Sequence, residues 1–437
     1  MRLVWYALAV ALAAALAGPL EALRPVAMLM GAGLVLIALV DLAFSYWTAQ
    51  PLTAEVPSVM RLTKDRVGKV PVTLNHPESR ERTVRFGLAW PAGIEAAEVD
   101  HVVELAKAAH SGFELTCTPR RRGSFRGLMA CIESRSRLGL WLMRAKQPLI
   151  GELRVYPNLF SERRQLAALF LARAQQGAML RRMVGRGRDF EKLRDYLPGD
   201  GFDEIHWKAT AKRGRPITKV FQVERTQEIY VILDTSRLSA RAVTHDGVVQ
   251  TALERCVTAT LVLLLAAERM GDRFGLVVHD DRVRLFLRSG RGKSHYGTCR
   301  EALLRLQPSE ATPDLAEIVR YVRSHLRQRS LLFFLTDLTD PVLAEDFSRY
   351  IQLLARQHLV LVSQLRAPGV APLFEGSEAQ NESELYARLA GHTRWAETRE
   401  LAQKLKPMGV TAALLENETM AAQLVAQYLQ VKRRQAL

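Results

Sequence analysis

The stretch Ile229–Ser239, IYVILDTSRLS, decides the reading of the fold. Five apolar residues stand in a row, four of them β-branched or aromatic, with no polar alternation. Such a run is a strand buried on both faces, as in a parallel sheet. Asp234 ends it, and Thr235, Ser236 and Ser239 follow with hydroxyls that suit turns and helix caps. A second stretch, Leu331–Asp337 (LLFFLTD), repeats the pattern, with Thr336 and Asp337 at its end.

Outward from these two runs, strands alternate with helices. Helical spacing covers Thr251–Met270, Pro313–Leu326, 342–356, 381–405 and 417–432. Further strands are predicted at Arg273–His279, Val283–Leu287, His358–Val362 and Val410–Leu415. That order implies a doubly wound α/β domain over 226–437, with a mostly parallel sheet covered on both faces. Ligands of such sheets bind at the carboxyl ends of the strands. Right-handed crossovers should bring Asp234, Ser236, Ser239, Thr312 and Asp337 to that edge. Carboxylates and hydroxyls together are hard oxygen ligands of the kind Mg²⁺ prefers. Two uncompensated carboxylates repel, so a cation or a basic side chain should lie between them, and Arg237 is the nearest in sequence. The plainer reading is that Ser236, Ser239 and Asp337 cap helices and close turns.

Upstream, residues 161–225 carry fifteen Lys/Arg against eight Asp/Glu. A helical connector begins at 161, and the stretch RDYLPGDGFDEIHWK (194–208) follows it. Gly185 and Gly187 do not follow a predicted strand, and no G-K-[ST] comes after them, so a nucleotide loop is not expected. Trp207 reads as a packing anchor, and His206 and Trp207 are expected to pack against the first strand of the α/β domain. Residues 51–160 read as a small β-sandwich, from short runs such as Val70–Leu74, Thr83–Leu88, Phe113–Thr118 and Leu153–Tyr156 between turn residues.

The first fifty residues differ from the rest. Leu3–Leu20 has no charge, and Val26–Phe44 has one, at Asp41. Each is long enough to span a bilayer, and the connector between them suits only a tight turn, which predicts a transmembrane helical hairpin over 1–50. A cleaved signal peptide is the competing reading of the first run. Tyr46 and Trp47 follow the second span, where aromatic belts lie. Arg61, Lys64, Arg66 and Lys69 come next, which places the soluble region in the cytoplasm by the positive-inside rule.

Arg2, Glu21, Arg24 and Asp41 cancel, so the formal charge of +16 lies on residues 51–437. It is scattered and carries no nucleic-acid-binding signature, and a domain held near anionic lipid gains from it. The four cysteines form no C-x-x-C pair, which fits a reducing compartment. The sequence shows no H-E-x-x-H, no nucleophile elbow and no P-loop, so no catalytic residues are assigned.

The signature Arg194, Asp195, Tyr196, Gly199, Asp200, His206, Trp207 and Lys208 resembles that of the domain-of-unknown-function family 58. The pattern Asp234-x-Ser236, then Thr312, then Asp337, resembles the metal-ion-dependent adhesion site of von Willebrand factor A domains. The resemblance implies a multi-pass protein of the bacterial inner membrane, with a von Willebrand A-like domain that binds a protein partner. It also implies association with a MoxR-type AAA+ ATPase in an assembly or remodelling system, and no enzymatic activity. The alternative is a hydrolase using the basic signature and the strand-end acids. Leu238 stands where the motif has its second serine, with Ser239 one residue late, so the adhesion site is degenerate and Mg²⁺ is expected to bind weakly or not at all.

Overall fold

The computed structural model describes Trp5, Ala11, Ala15, Glu98 and residues 24–48, 52–75, 82–96, 100–105, 110–175, 184–197, 201–202, 205–222, 227–245, 247–375 and 381–434. The predicted first span, Leu3–Leu20, falls outside these apart from three residues, and so do Gly199 and Asp200 of the signature. The chain divides into two compact units, Met1–Asn158 and Leu159–Leu437.

The first unit opens with helix α1 (Arg24–Thr48), which is long and apolar enough to cross a membrane between Met28 and Trp47. Eleven strands follow: β1 (Thr53–Glu55), β2 (Val59–Thr63), β3 (Gly68–Asn75), β4 (Arg82–Ala89), β5 (Ile94–Ala96), β6 (Asp100–Leu105), β7 (His110–Pro119), β8 (Gly123–Phe125), β9 (Leu128–Arg135), β10 (Leu142–Leu149) and β11 (Glu152–Tyr156). They pair in the orders β1-β3-β7-β5, β10-β9-β4-β6 and β2-β11-β8. The two four-stranded sheets are antiparallel throughout. Period-two burial builds their core: Val70, Val72 and Leu74 on β3, Val84, Phe86 and Leu88 on β4, and Leu128, Ala130 and Ile132 on β9 point into one apolar cluster. The basic stretch Arg120–Gly127 reads as a plain connection, but it contributes β8, which pairs with β11. All four cysteines are free.

The second unit begins with α2 (Phe160–Gln175) and the strand β12 (Val184–Asp195). Next come α3 (Trp207–Arg213), β13 (Ile217–Gln222), β14 (Glu228–Asp234), β15 (Ala242–His245), β16 (Val248–Thr251), α4 (Ala252–Arg269), β17 (Arg273–His279) and β18 (Val283–Gly290). The rest is α5 (Gly292–Leu304), α6 (Leu315–His325), β19 (Leu331–Leu335), α7 (Pro341–Ala355), β20 (Leu359–Leu365), α8 (Glu382–Leu405), β21 (Val410–Leu415) and α9 (Met420–Arg434). The six-stranded sheet has the order β18-β17-β14-β19-β20-β21, parallel except for the edge strand β18.

Alternate residues of IYVIL serve two cores. Ile229, Val231 and Leu233 pack with α2, α4, α5 and α9, whereas Tyr230 and Ile232 pack with α6, α7 and the end of α8. That double burial is why the run has no polar alternation. The chain winds outward from β14 through β17 to β18, then returns to place β19 on the other side of β14. The strand order therefore reverses between β14 and β19, which is where a ligand-sized crevice opens in such sheets.

A buried ion pair fixes α2 to this layer. Arg255 on α4 lies 3.1 Å from Glu162, and its other terminal nitrogen donates to the Asn417 carbonyl at 2.6 Å. Asp272, at the foot of β17, accepts from Lys432 at 2.7 Å and from the Tyr428 hydroxyl. Burial and the Asp272 charge hold that hydroxyl in its protonated form.

The sequence did not predict β12, which contains Gly185 and Gly187 and pairs with β13 in an irregular antiparallel ribbon around the signature. One sequence reading is corrected here. Trp207 is not a packing anchor: it is 66% exposed, and no residue of the seven-residue α3 is buried.

Candidate functional site

Asp234 ends β14 at the reversal point and is 3% exposed. One carboxylate oxygen accepts from the Ser236 N–H at 2.8 Å, and the other from the Thr336 hydroxyl at 2.8 Å. Thr336 is the first residue after β19, so this bond ties the two strands that flank the crevice. Ser236 is fully buried and caps the short 3-10 turn Arg237–Ala240, with its Oγ accepting from the Leu238 N–H at 3.4 Å. Ser239 Oγ donates to the Ser236 carbonyl at 2.8 Å. Thr312, on the loop before α6, is exposed and accepts from Arg237 Nε at 3.3 Å.

Asp337 sits two residues past β19. Its Oδ1 closes a turn by accepting from the Thr339 N–H at 3.0 Å and hydroxyl at 2.7 Å, and it also accepts from Gln364 Nε2 at 3.2 Å. Its Oδ2 forms an ion pair with Arg241, whose other terminal nitrogen donates to the Leu365 carbonyl at 3.0 Å. The sequence pointed to Arg237 as the neutralising cation. The structure gives that place to Arg241, because the 3-10 turn carries Arg237 outward to Thr312.

Asp234, Ser239 and Asp337 line one small pocket of about 20 Å³, together with Leu238, Arg241 and Cys256. Thr312 and Ser236 do not line it. Burial, then the Asp234 charge, pushes the Cys256 thiol up to about 12, so it stays a thiol and is a poor nucleophile and metal ligand. These residues do not fit a divalent cation. Both Asp234 oxygens already accept protein hydrogen bonds, Arg241 supplies the positive charge at Asp337, and Leu238 offers no donor. Among the described residues there is no cluster of three or more His, Cys, Asp or Glu positioned for a metal.

A third strand-end acid, Asp280, belongs to the same edge. It follows β17 as Asp234 ends β14, and it is 2% exposed. Burial alone would raise its carboxyl, but hydrogen bonds led by Arg284, at 2.7 and 2.8 Å, outweigh that and hold it well below the usual carboxylate range. Its signal, an acid ending an apolar strand in VVHDD, was present in the sequence. Thr336 was marked by its place after LLFFL, whereas Arg241 and Gln364 gave no local signal, since their partner Asp337 lies 96 and 27 residues away.

Beyond Asp337, a cavity of about 240 Å³ opens at the ends of β20 and β21. Leu338, Val362 and Leu414 line it with Gln364, Trp395 and Arg399. The exposed Arg399 guanidinium lies over the Trp395 ring, 4.9 Å from its centre.

In the signature, Asp195 pairs with Arg215 at 3.1 Å, Arg194 donates to the Asp195 carbonyl at 3.3 Å, and the Tyr196 N–H donates to the Pro216 carbonyl at 3.0 Å. His206 caps α3 by accepting from the Ala209 N–H at 3.0 Å through Nδ1, which makes it a local structural residue. Lys208 is exposed. Among the described residues, the signature brings no second reactive group to His206.

No curated protein matches the chain. Among solved structures, the conserved hypothetical protein BatB from Bacteroides thetaiotaomicron is similar at 17% identity and a TM-score of 0.31, over 47% of this chain and 99% of that one. An aerotolerance-related membrane protein from Bacteroides fragilis, carrying multiple mutations to serines, gives 16% identity and a TM-score of 0.32 over the same shares. Residues 192–378, from the end of β12 past β20, match the family described as Protein of unknown function DUF58.

Proposed function

We propose that this protein is a membrane-anchored interaction protein whose von Willebrand A-like domain binds a protein partner, in a system driven by a MoxR-type AAA+ ATPase. In this reading the two apolar N-terminal segments span the bacterial inner membrane as a hairpin, and the soluble units face the cytoplasm. The basic residues Arg61, Lys64, Arg66 and Lys69 after the second segment support that orientation.

One observation carries the reading. The three strand-end acids Asp234, Asp280 and Asp337 are each answered by donors of the chain itself, while Arg237 stands exposed on the turn after β14 beside Thr312 and the exposed Arg399 lines a largely apolar cavity. A hydrolase needs an activated nucleophile or base, whereas this edge offers exposed cations and an apolar seat. That chemistry fits an acidic partner surface with one apolar anchor, and no metal is needed to bridge the two. The protein is read as having no enzymatic activity of its own.

The test is capture of a purified MoxR-type ATPase by the full chain in detergent. Arg237→Glu with Arg399→Glu should abolish capture and leave the unfolding midpoint unchanged. Undiminished capture by that variant, at normal stability, would sink the assignment of this face.

A further inference from the structure

Asp41 is the one charge in the apolar segment Val26–Phe44, and it is only 3% exposed. Its partners come from the turn between β9 and β10. Ser136 Oγ donates to one carboxylate oxygen at 2.6 Å, and the Leu138 N–H donates to the other at 3.1 Å. The contact continues along the same helix face at steps of three and four residues. The Trp141 indole N–H donates to the Ala38 carbonyl at 2.8 Å, the Arg137 N–H donates to Ser45 Oγ at 3.3 Å, and the Arg137 guanidinium lies 4.6 Å over the Phe44 ring. The turn is also braced within itself. Ser136 and Trp141 bond across it at 2.8 and 2.9 Å, and Gly139 takes the left-handed conformation it needs.

Val35, Leu36, Ile37, Leu39 and Val40 are each more than half exposed. The turn adds apolar surface at the same level: Leu138 is 49% exposed, Trp141 37% and Leu142 69%. Asp41 lies six residues before Trp47, or about 9 Å along the helix axis. Each headgroup layer of a bilayer is about 5–7 Å thick, half of what remains beyond the hydrocarbon core. With Tyr46 and Trp47 at the water boundary, the turn therefore reaches through the headgroups to the edge of the hydrocarbon. A carboxylate at that depth is costly unless it is hydrogen-bonded, and the turn provides the bonds.

We propose that the β9–β10 turn is a lipid-contacting wedge that enters the bilayer interface beside α1, with Leu138 and Leu142 in contact with acyl chains and Asp41 as its latch. The β-rich unit is then held against the membrane surface by two elements rather than by one helix. This rests on the membrane reading of α1.

The experiment uses the full chain in nanodiscs of phosphatidylcholine and phosphatidylglycerol. Cys131 and Cys256 are replaced by alanine, and the fluorophore NBD is attached at Leu138→Cys, at Leu142→Cys or at Ile37→Cys. Leu138→Cys keeps the backbone N–H that bonds Asp41. Emission from positions 138 and 142 should shift to the blue and be quenched more by shallow than by deep doxyl lipids, and position 37 should be quenched most by deep ones. Water-like emission at 138 and 142 with lipid quenching at 37 overturns the wedge and leaves the membrane reading intact. Blue-shifted emission at 138 that no lipid nitroxide quenches means that protein covers the turn, which also overturns it. Loss of quenching at all three positions removes the membrane reading together with the wedge.

Discussion

The Arg241 guanidinium is the counter-charge of Asp337 at the mouth of the crevice between β14 and β19, and it also holds the Leu365 carbonyl at the end of β20. One side chain thus joins three segments at the carboxyl edge of the sheet. Removing it leaves Asp337 without its cation, in a pocket that Asp234 also lines. Arg241→Ala is expected to destabilise the protein by about 1–3 kcal/mol, the range for a lost hydrogen bond to a charged group. Millimolar Mg²⁺ should raise the unfolding midpoint of this variant and leave the wild type unaffected. Thermal unfolding with and without Mg²⁺ decides the point. A wild-type midpoint that rises with Mg²⁺ would show that the native donor set does take a cation.

The Glu162–Arg255 pair is the most deeply buried ion pair among those described, with side chains 5% and 3% exposed. Taking away one partner strands the other charge in the apolar layer under α4. Glu162→Leu is therefore expected to cost about 3–5 kcal/mol, whereas Glu162→Leu with Arg255→Met should recover most of the loss. Denaturant unfolding of the three proteins measures the difference. A double variant as unstable as the single one would mean that the bond from Arg255 to the Asn417 carbonyl matters more than the ion pair.

Glu152 gives the β-rich unit a pH dependence. Its carboxylate accepts from Arg154 at 2.7 Å and also from Ser124 and Arg126, and these partners, Arg154 first, lower its pKa to about 2. A depressed folded-state value means that the group stabilises the fold fully above its unfolded-state pKa of about 4.3 and loses that contribution as pH falls through 2. Glu152→Gln should then be less stable than wild type at pH 7, and the gap should narrow steadily below pH 4.3. A gap that stays constant from pH 7 to pH 3 would assign the effect to packing instead of charge.

Much of the α/β fold was legible because its strands are buried on both faces. IYVIL and LLFFL admit little else, and the predicted strands Arg273–His279 and Val410–Leu415 have the observed bounds. The ribbon β12–β13 was hidden. Its sequence GRGRDFEKLRD has seven charged residues and two glycines and no apolar alternation that would mark a strand. At the site, the sequence could place Asp234 and Asp337 at strand ends, since that follows from the runs before them. It could not say what answers them. Arg237 and Arg241 are four residues apart on one short turn, and only the tertiary approach of Leu365 and Asp337 selects the second. Asp41 shows the same limit: a lone acid in an apolar span announces a partner, but the partner comes from a turn 95 residues away.

Gly391 sets two physical effects against each other. It lies within α8, where alanine is the better helix former by about 0.5–1 kcal/mol. By propensity alone, Gly391→Ala would stabilise the protein. But α8 crosses the loop after β20 at this point, and a Cβ built on Gly391 would stand 1.9 Å from the Gly369 carbonyl oxygen. That neighbour is backbone, and Gly369 has a positive φ of 76°, so the loop cannot easily retreat through a residue of another shape. Overpacking of this kind costs about 1–3 kcal/mol, more than the propensity returns. Gly391→Ala should therefore lower the unfolding midpoint, and it should also disturb the cavity that Trp395 and Arg399 line one and two turns further along the helix. Thermal unfolding reads the first effect, and the emission maximum of Trp395 in a background with the other tryptophans changed to phenylalanine reads the second. A raised midpoint with unshifted emission would mean that the loop yields freely and that the close approach at Gly391 does not position α8.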